Sequence, residues 1–179
     1  MMKSCLISIL VSLVSFTAAW GQASGTQVTE TDSTLTLRNS KVRVEFPKGE
    51  AFDISKLTLN GKELVLSKGY NTVPWTLTYK GPQGENPVLF PSHGEYAGWA
   101  KTTKDGHVAI AFKWNMRLTY QDLVPVVMTV SLPGDSELAY WDIQAGTPDG
   151  WLVSNTQFPR ITVTRPDKAK LITSAGWGA

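Results

Sequence analysis

Residues 124–161 read VPVVMTVSLPGDSELAYWDIQAGTPDGWLVSNTQFPRI, and this stretch decides the fold class of the chain. Two turn signals, Pro133-Gly134-Asp135 and Thr147-Pro148-Asp149-Gly150, divide it into three β-type runs. The first run alternates, with one apolar face made of Val126, Met128, Val130 and Leu132. The second run alternates too: Trp141 and Ile143 form the face that should point inward, opposite Tyr140, Asp142 and Gln144.

Similar runs recur along the rest of the chain, at residues 34–37, 41–46, 54–59, 63–66, 74–79, 98–103, 107–114 and 117–120. Asn60-Gly61 and Lys104-Asp105-Gly106 are hairpin turns between neighbouring runs. No window of ten or more residues beyond the N-terminal segment carries a helical apolar stripe. The pattern predicts an all-β, antiparallel sandwich. Its core is expected to contain Val42, Val44, Phe46, Leu57, Leu59, Trp75, Leu77, Val108, Ile110, Phe112, Val126, Met128, Val130, Trp141 and Ile143.

The N-terminus has the composition of a secretory signal peptide. Lys3 is followed by an apolar segment from Leu6 to Phe16 and then by small residues. We expect cleavage after Gly21, with Ala19 and Ala23 as alternative ends. The apolar segment is too short for a membrane anchor, which needs roughly 20 residues. Residues 1–21 are therefore interpreted as the signal peptide, residues 22–179 as one β-sandwich domain, and the protein as secreted or periplasmic. Cys5 lies in the leader, so no disulfide is expected afterwards.

Charge gives little indication of a macromolecular partner. The chain has 17 Lys and Arg against 15 Asp and Glu, spread without a basic run, so neither nucleic acid nor an anionic membrane is an expected partner. Tryptophan is abundant, with seven residues. The rings either fill a core, which is the interpretation that composition favours, or form sugar-stacking platforms, for which the candidates are Trp75, Trp99 and Trp151.

Candidate chemistry centres on Pro91-Ser-His-Gly-Glu-Tyr96, where His93 and Glu95 fall together in a predicted loop. A plain surface turn explains them as well, and His107, next to a hairpin turn, should be solvated. Most aspartates lie at turns. Asp142 differs because it is in mid-strand, on the polar face. The sequence has neither metal-ligand spacing, nor a serine nucleophile motif, nor a phosphate loop, so no catalytic residue, metal or cofactor is assigned.

Three segments carry a resemblance to a known family: residues 34–46 (TLTLRNSKVRVEF), residues 54–64 (ISKLTLNGKEL) with Pro74-Trp-Thr-Leu77, and residues 138–161 with their Phe158-Pro-Arg-Ile161 corner. Together they resemble the galactose-mutarotase-like β-supersandwich domain at the N-terminus of secreted bacterial glycoside hydrolases and related uncharacterised proteins. In that family the sandwich continues and a catalytic barrel follows. The resemblance therefore implies a truncated chain with an incomplete sandwich.

Three functions remain open at this stage. The resemblance favours a noncatalytic module that supports or lines the substrate cleft of a missing hydrolase barrel, with residues 81–95 facing the cleft and Leu171, Ile172 and Trp177 packing on the barrel. The second is a stand-alone carbohydrate-binding protein that uses Trp75, Trp99 or Trp151 as a stacking platform, with His93 and Glu95 as sugar ligands. The third is a small sugar epimerase or lyase using His93 and Glu95. Each of the three has a carbohydrate as its partner.

Overall fold

The structure is a computed structural model that describes residues 25–49, 53–64, 66, 73–120 and 122–161. These ranges contain β-strands, one short 3-10 helix (Pro91–His93) and no α-helix, so the all-β prediction is confirmed. The strands are β1 (Gln27–Glu30), β2 (Thr34–Arg38), β3 (Val42–Pro47), β4 (Lys56–Leu59), β5 (Lys62–Leu64), β6 (Thr76–Lys80), β7 (Val88–Leu89), β8 (Gly94–Lys104), β9 (His107–Arg117), β10 (Leu123–Leu132), β11 (Tyr140–Ala145) and β12 (Leu152–Gln157).

The strands form three antiparallel sheets. A five-stranded sheet has the order β1-β2-β3-β4-β5, a four-stranded sheet has the order β11-β10-β9-β8, and a three-stranded sheet has the order β12-β6-β7. Neighbours in the first two sheets are also neighbours in the chain, as hairpins and meanders require. In the third sheet, β12 pairs with β6, although most of the domain's sequence separates the two strands.

The sheets pack face to face around one apolar core. Phe46 of the five-stranded sheet lies 4.7 Å, centroid to centroid, from Phe112 of the four-stranded sheet. Trp75, just before β6, lies 5.5 Å from Trp114 in an edge-to-face arrangement. Every predicted core residue is buried or packs against the core, with five of them half-buried at its margin: Leu57, Leu59, Val108, Trp141 and Ile143. The sandwich-like packing is thus as predicted.

The two predicted hairpin turns adopt the backbone conformation expected from their sequences. Asn60 and Gly61 have φ angles of 50° and 74°, and Asp105 and Gly106 have φ angles of 50° and 79°. Two successive positive φ angles define the type I′ turn, whose twist matches that of the flanking strands. These turns fix the registers of β4 with β5 and of β8 with β9.

Some predicted strand limits are wrong for local reasons. The chain turns after Arg117 instead of extending to Tyr120, because the backbone N–H groups of Leu118 and Thr119 donate to the Asp122 carbonyl at 2.9 and 3.4 Å. β8 begins at Gly94, earlier than predicted, since it pairs along the whole of β9. β5 ends at Leu64.

Two asparagines in turns of the five-stranded sheet hydrogen-bond to the loop 133–138, which is part of the connection between β10 and β11. Asn39 Nδ2 donates to the carbonyls of Pro133 and Ser136 at 2.6 and 2.8 Å. Asn60 Nδ2 donates to Glu137 Oε1 at 2.8 Å. The turns of one sheet therefore anchor the loop of the other.

The predicted signal peptide, residues 1–21, and the predicted barrel contacts Leu171, Ile172 and Trp177 lie outside the described residues. Within the described ranges, no helix is long and apolar enough to span a membrane.

Candidate functional site

The predicted His93–Glu95 loop is divided between two elements. His93 ends the 3-10 helix and is exposed, with its ring against that of Phe90 at a centroid distance of 3.4 Å. Glu95 is also exposed but lies in β8, opposite Asn115 of β9. The prediction of one loop holding His93, Glu95 and Tyr96 is wrong because strand alternation sends Glu95 and Tyr96 to opposite faces.

Tyr96 points into the core. Its ring lies 5.6 Å from that of Trp114, and its hydroxyl is buried without a hydrogen-bond partner. Loss of solvent disfavours the phenolate, so burial raises the pKa of Tyr96 to about 12.

Burial of Tyr96 should make the free energy of unfolding depend on pH in the alkaline range. In the unfolded chain its pKa is near the ordinary value of 10.0, against about 12 in the folded protein. The Tyr96 contribution to the free energy of unfolding should therefore be fully present below pH 10. It should be lost as pH rises through the folded pKa, because the phenol of the unfolded chain loses its proton at a lower pH. Denaturant unfolding at a series of alkaline pH values measures the decline. The Tyr96→Phe variant should lose less stability over that window, and an identical decline in both proteins would contradict this assignment.

The three tryptophans considered as sugar platforms have different environments. Trp75 is fully buried, so its interpretation as a platform is wrong and its place in the predicted core is right. Trp99 lies on the inward side of β8 opposite Phe112, and Trp151 lies over Gly81, where an added Cβ would collide with the indole. Both are half-buried against the core.

The four-stranded sheet turns one face away from the core. Lys104 of β8 and Asp142 of β11 form an ion pair there, with 3.6 Å between Nζ and Oδ2, although two strands separate them. Three strand spacings amount to about 14 Å, and the two side chains reach toward each other from the opposite edges of the sheet. We name this surface the outer face; by register it includes Ala100, Thr102, Lys104, His107, Ala109, Ala111, Thr129, Ser131, Tyr140, Asp142 and Gln144.

The floor of the outer face consists of small side chains. Ala109 is 0% exposed, Ser131 2%, and Ala111 and Thr129 8% each, although all four point away from the core. Neither the Thr129 nor the Ser131 hydroxyl forms a hydrogen bond within the described part of the chain, and neither is among its fully enclosed polar atoms. Both side chains are thus nearly enclosed, and only a small part of each remains in contact with solvent.

Longer side chains surround this floor. The His107 and Tyr140 rings are nearly parallel, 8° apart in plane and 6.0 Å between centroids, and Tyr140 is half exposed. Gln144 Nε2 donates to Asp142 Oδ2 at 3.2 Å. His107 is half-buried beside this ring, which corrects the expectation that it is solvated. Sequence alternation had already placed Tyr140, Asp142 and Gln144 on one polar face, but it carried no sign that His107 lies beside them.

Among the described residues, no three His, Cys, Asp or Glu side chains form a group that could hold a metal ion. The outer face instead carries hydrogen-bonding side chains beside the His107 and Tyr140 rings.

The chain is distantly homologous to part of a larger protein. It is 34% identical over 175 residues to a Bacteroides thetaiotaomicron protein named "Putative glycoside hydrolase". The alignment includes 97% of this chain and 26% of that protein, so the chain spans about a quarter of its relative's length. No family model matches the chain, and no solved structure matches it.

Proposed function

We propose that this chain is a noncatalytic, N-terminal β-sandwich module of an exported carbohydrate-active protein, in which it supports or lines the substrate cleft of a catalytic barrel. The observation that carries the proposal is the alignment: nearly the whole chain matches about a quarter of a protein named as a glycoside hydrolase. A sandwich on its own does not imply a function. The relation to a hydrolase and the all-β fold together favour a supporting role.

Three of the described carboxylates are engaged in ion pairs, which supports a noncatalytic role for them. Glycoside hydrolysis uses two carboxyl groups about 5 to 10 Å apart. Glu30, Glu45 and Glu63 instead form ion pairs with Lys48, Arg43 and Lys56 at 2.6, 2.7 and 2.7 Å.

The two carboxylates singled out by the sequence are also poorly placed as a pair. Glu95 lies on β8 and Asp142 on β11, which are the two edges of the four-stranded sheet. By register, Glu95 lies opposite Asn115 of β9, whereas Asp142 is level with Ala111 of the same strand. The two carboxylates are therefore separated along the strand direction as well as across the sheet. Asp142 is further engaged by Lys104 and Gln144.

We therefore expect the purified chain to show no turnover above background on a panel of aryl-glycosides and polysaccharides, measured by aryl release and by reducing ends. Asp142→Asn and Glu95→Gln variants, both at polar surface positions, are the matched samples. A rate in the wild-type chain that disappears in either variant would show that the chain is an independent enzyme and would end the proposal.

A further inference from the structure

We propose that Trp151 and Glu85 form a platform for a neutral polysaccharide, with Trp151 as the stacking ring and Glu85 as the hydrogen-bonding carboxylate. This inference rests on the proposed function, because the relation to a glycoside hydrolase is what directs attention to carbohydrate. It goes beyond that function by giving the module a glycan contact of its own. It also assigns the contact to Trp151 and not to Trp99, the other half-buried candidate.

Two turns at the same end of the three-stranded sheet bring Trp151 and Glu85 together. Glu85 lies in the turn that follows β6, where its carbonyl accepts from the Gly81 N–H at 2.9 Å. Trp151 ends the turn that precedes β12. Because Lys80 and Leu152 are partners across β6 and β12, their neighbours Gly81 and Trp151 lie next to each other. The pairing of the two strands thus fixes the two turns side by side.

Gly81 leaves the space in which the two side chains meet. This glycine is buried, and a Cβ added to it would collide with the Glu85 carboxylate and would lie 2.8 Å from Trp151 Cη2. Both groups therefore occupy the same small region above the glycine backbone. The carboxylate lies beside the outer corner of the six-membered ring of the indole, so an aromatic surface and a hydrogen-bond acceptor are adjacent.

Both side chains keep hydrogen-bonding groups available to a ligand. Trp151 Nε1 donates to no residue in the described ranges and is not among their enclosed polar atoms, so this edge of the half-buried indole meets solvent. Glu85 is exposed and forms no ion pair with any described residue. Its Oε2 accepts from the Gln83 N–H at 3.0 Å, which holds the carboxylate in place and leaves Oε1 available.

These groups match the chemistry of a neutral sugar. The C–H face of a pyranose can lie on the exposed part of the indole, while its hydroxyl groups accept from Nε1 and donate to the carboxylate. A polysaccharide chain that crosses the surface needs no hollow for such a contact. The charged residues of the turns 81–87 and 146–151 are Glu85 and Asp149, both exposed and both acidic. A uronic acid would therefore be repelled.

Binding of the whole chain to soluble starch, xylan, mixed-linkage β-glucan and galactomannan, with polygalacturonate as the acidic comparison, tests the inference by affinity electrophoresis and titration calorimetry. At least one neutral polysaccharide should bind more tightly than polygalacturonate. Trp151→Ala should weaken that binding about tenfold or more, and Glu85→Gln about threefold or more. Trp99→Ala is the matched control, because Trp99 is also half-buried but lies on β8 opposite Phe112. Its affinity should stay within about twofold of the wild type.

A measurement on the unaltered chain protects the test against misfolded variants. The polysaccharide should shift the Trp151 Nε1–H signal in a nitrogen–proton NMR spectrum, assigned by its loss in Trp151→Phe, and leave the Trp99 signal in place. No binding to any neutral polysaccharide, tighter binding to polygalacturonate, or an unmoved Trp151 signal would overturn the inference. Unchanged affinity in folded Trp151→Ala, or an equal loss in folded Trp99→Ala, would overturn it as well. None of these results bears on the proposed noncatalytic role, which depends on turnover measured separately.

Discussion

The Trp75→Ala variant is expected to lose about 3 to 5 kcal/mol of unfolding free energy, the range for truncating a large buried aromatic side chain. Trp75 is 0% exposed and packs edge-to-face on Trp114, where the three-stranded sheet meets the four-stranded sheet. Its removal would leave a cavity at the junction of two sheets, which strands on both sides cannot fill by small movements. Urea unfolding followed by circular dichroism measures the loss.

Two further variants show whether burial is the cause. Trp75→Phe keeps an aromatic ring and removes an indole N–H that is buried without a partner, so it should lose clearly less than the alanine variant. Leu123→Ala truncates a side chain that is 59% exposed and should change stability by less than about 0.5 kcal/mol. If Trp75→Ala instead kept its stability and weakened glycan binding, Trp75 would be a platform after all.

The Asn39→Ala variant is expected to lose about 2 to 4 kcal/mol, at about 1 kcal/mol for each of four hydrogen bonds. Asn39 Oδ1 accepts from the backbone N–H groups of Lys41 and Val42 at 2.8 and 2.6 Å, and Nδ2 donates to two carbonyls of the loop 133–138. The side chain thus stabilises its own turn and also hydrogen-bonds to the loop that follows β10 of the four-stranded sheet. Chemical denaturation is the appropriate measurement.

The Asn39→Asp variant distinguishes the hydrogen bonds within the turn from those to the loop 133–138. The carboxylate keeps both acceptor bonds within the turn but loses both donor bonds and faces the carbonyl oxygens of Pro133 and Ser136. We expect it to be at least as destabilising as alanine at neutral pH. Ser40→Ala, at the exposed neighbouring position, is the control and should stay within about 0.5 kcal/mol. A mild effect of Asn39→Asp would mean that the bonds to the loop contribute little.

The strands and turns could be predicted because their causes are local. Alternation in β9 and β10 gives the inward face directly, and Asn60-Gly61 accepts the positive φ angles that a type I′ turn requires. Leu35 and Leu37 of β2 were recognised as strand residues but not as core, although both are 0% exposed. Their burial depends on the sheet that covers them, which local sequence does not specify.

The candidate site was harder to foresee for the same reason. Alternation placed Tyr140 and Asp142 on a shared polar face, whereas their meeting with His107 and Lys104 depends on the order and register of four strands. Tryptophan content drew attention to Trp99 and Trp151, which the fold uses to cover the edges of the core. The small residues Ala109 and Ala111 become informative only once their outward direction and their burial are both known.

The return of β12 to β6 has a bearing on the order in which the chain folds. Ser154 Oγ donates to the Thr78 carbonyl at 3.1 Å, and these residues are 76 positions apart in sequence. Hairpins such as β8–β9 close over a short turn, but a pairing this distant must first overcome the entropy of a long loop. The three-stranded sheet should therefore be completed last. Until β12 arrives, one edge of β6 stays open to pairing with another chain, so the time between the synthesis of the two strands is when the protein is most exposed to aggregation.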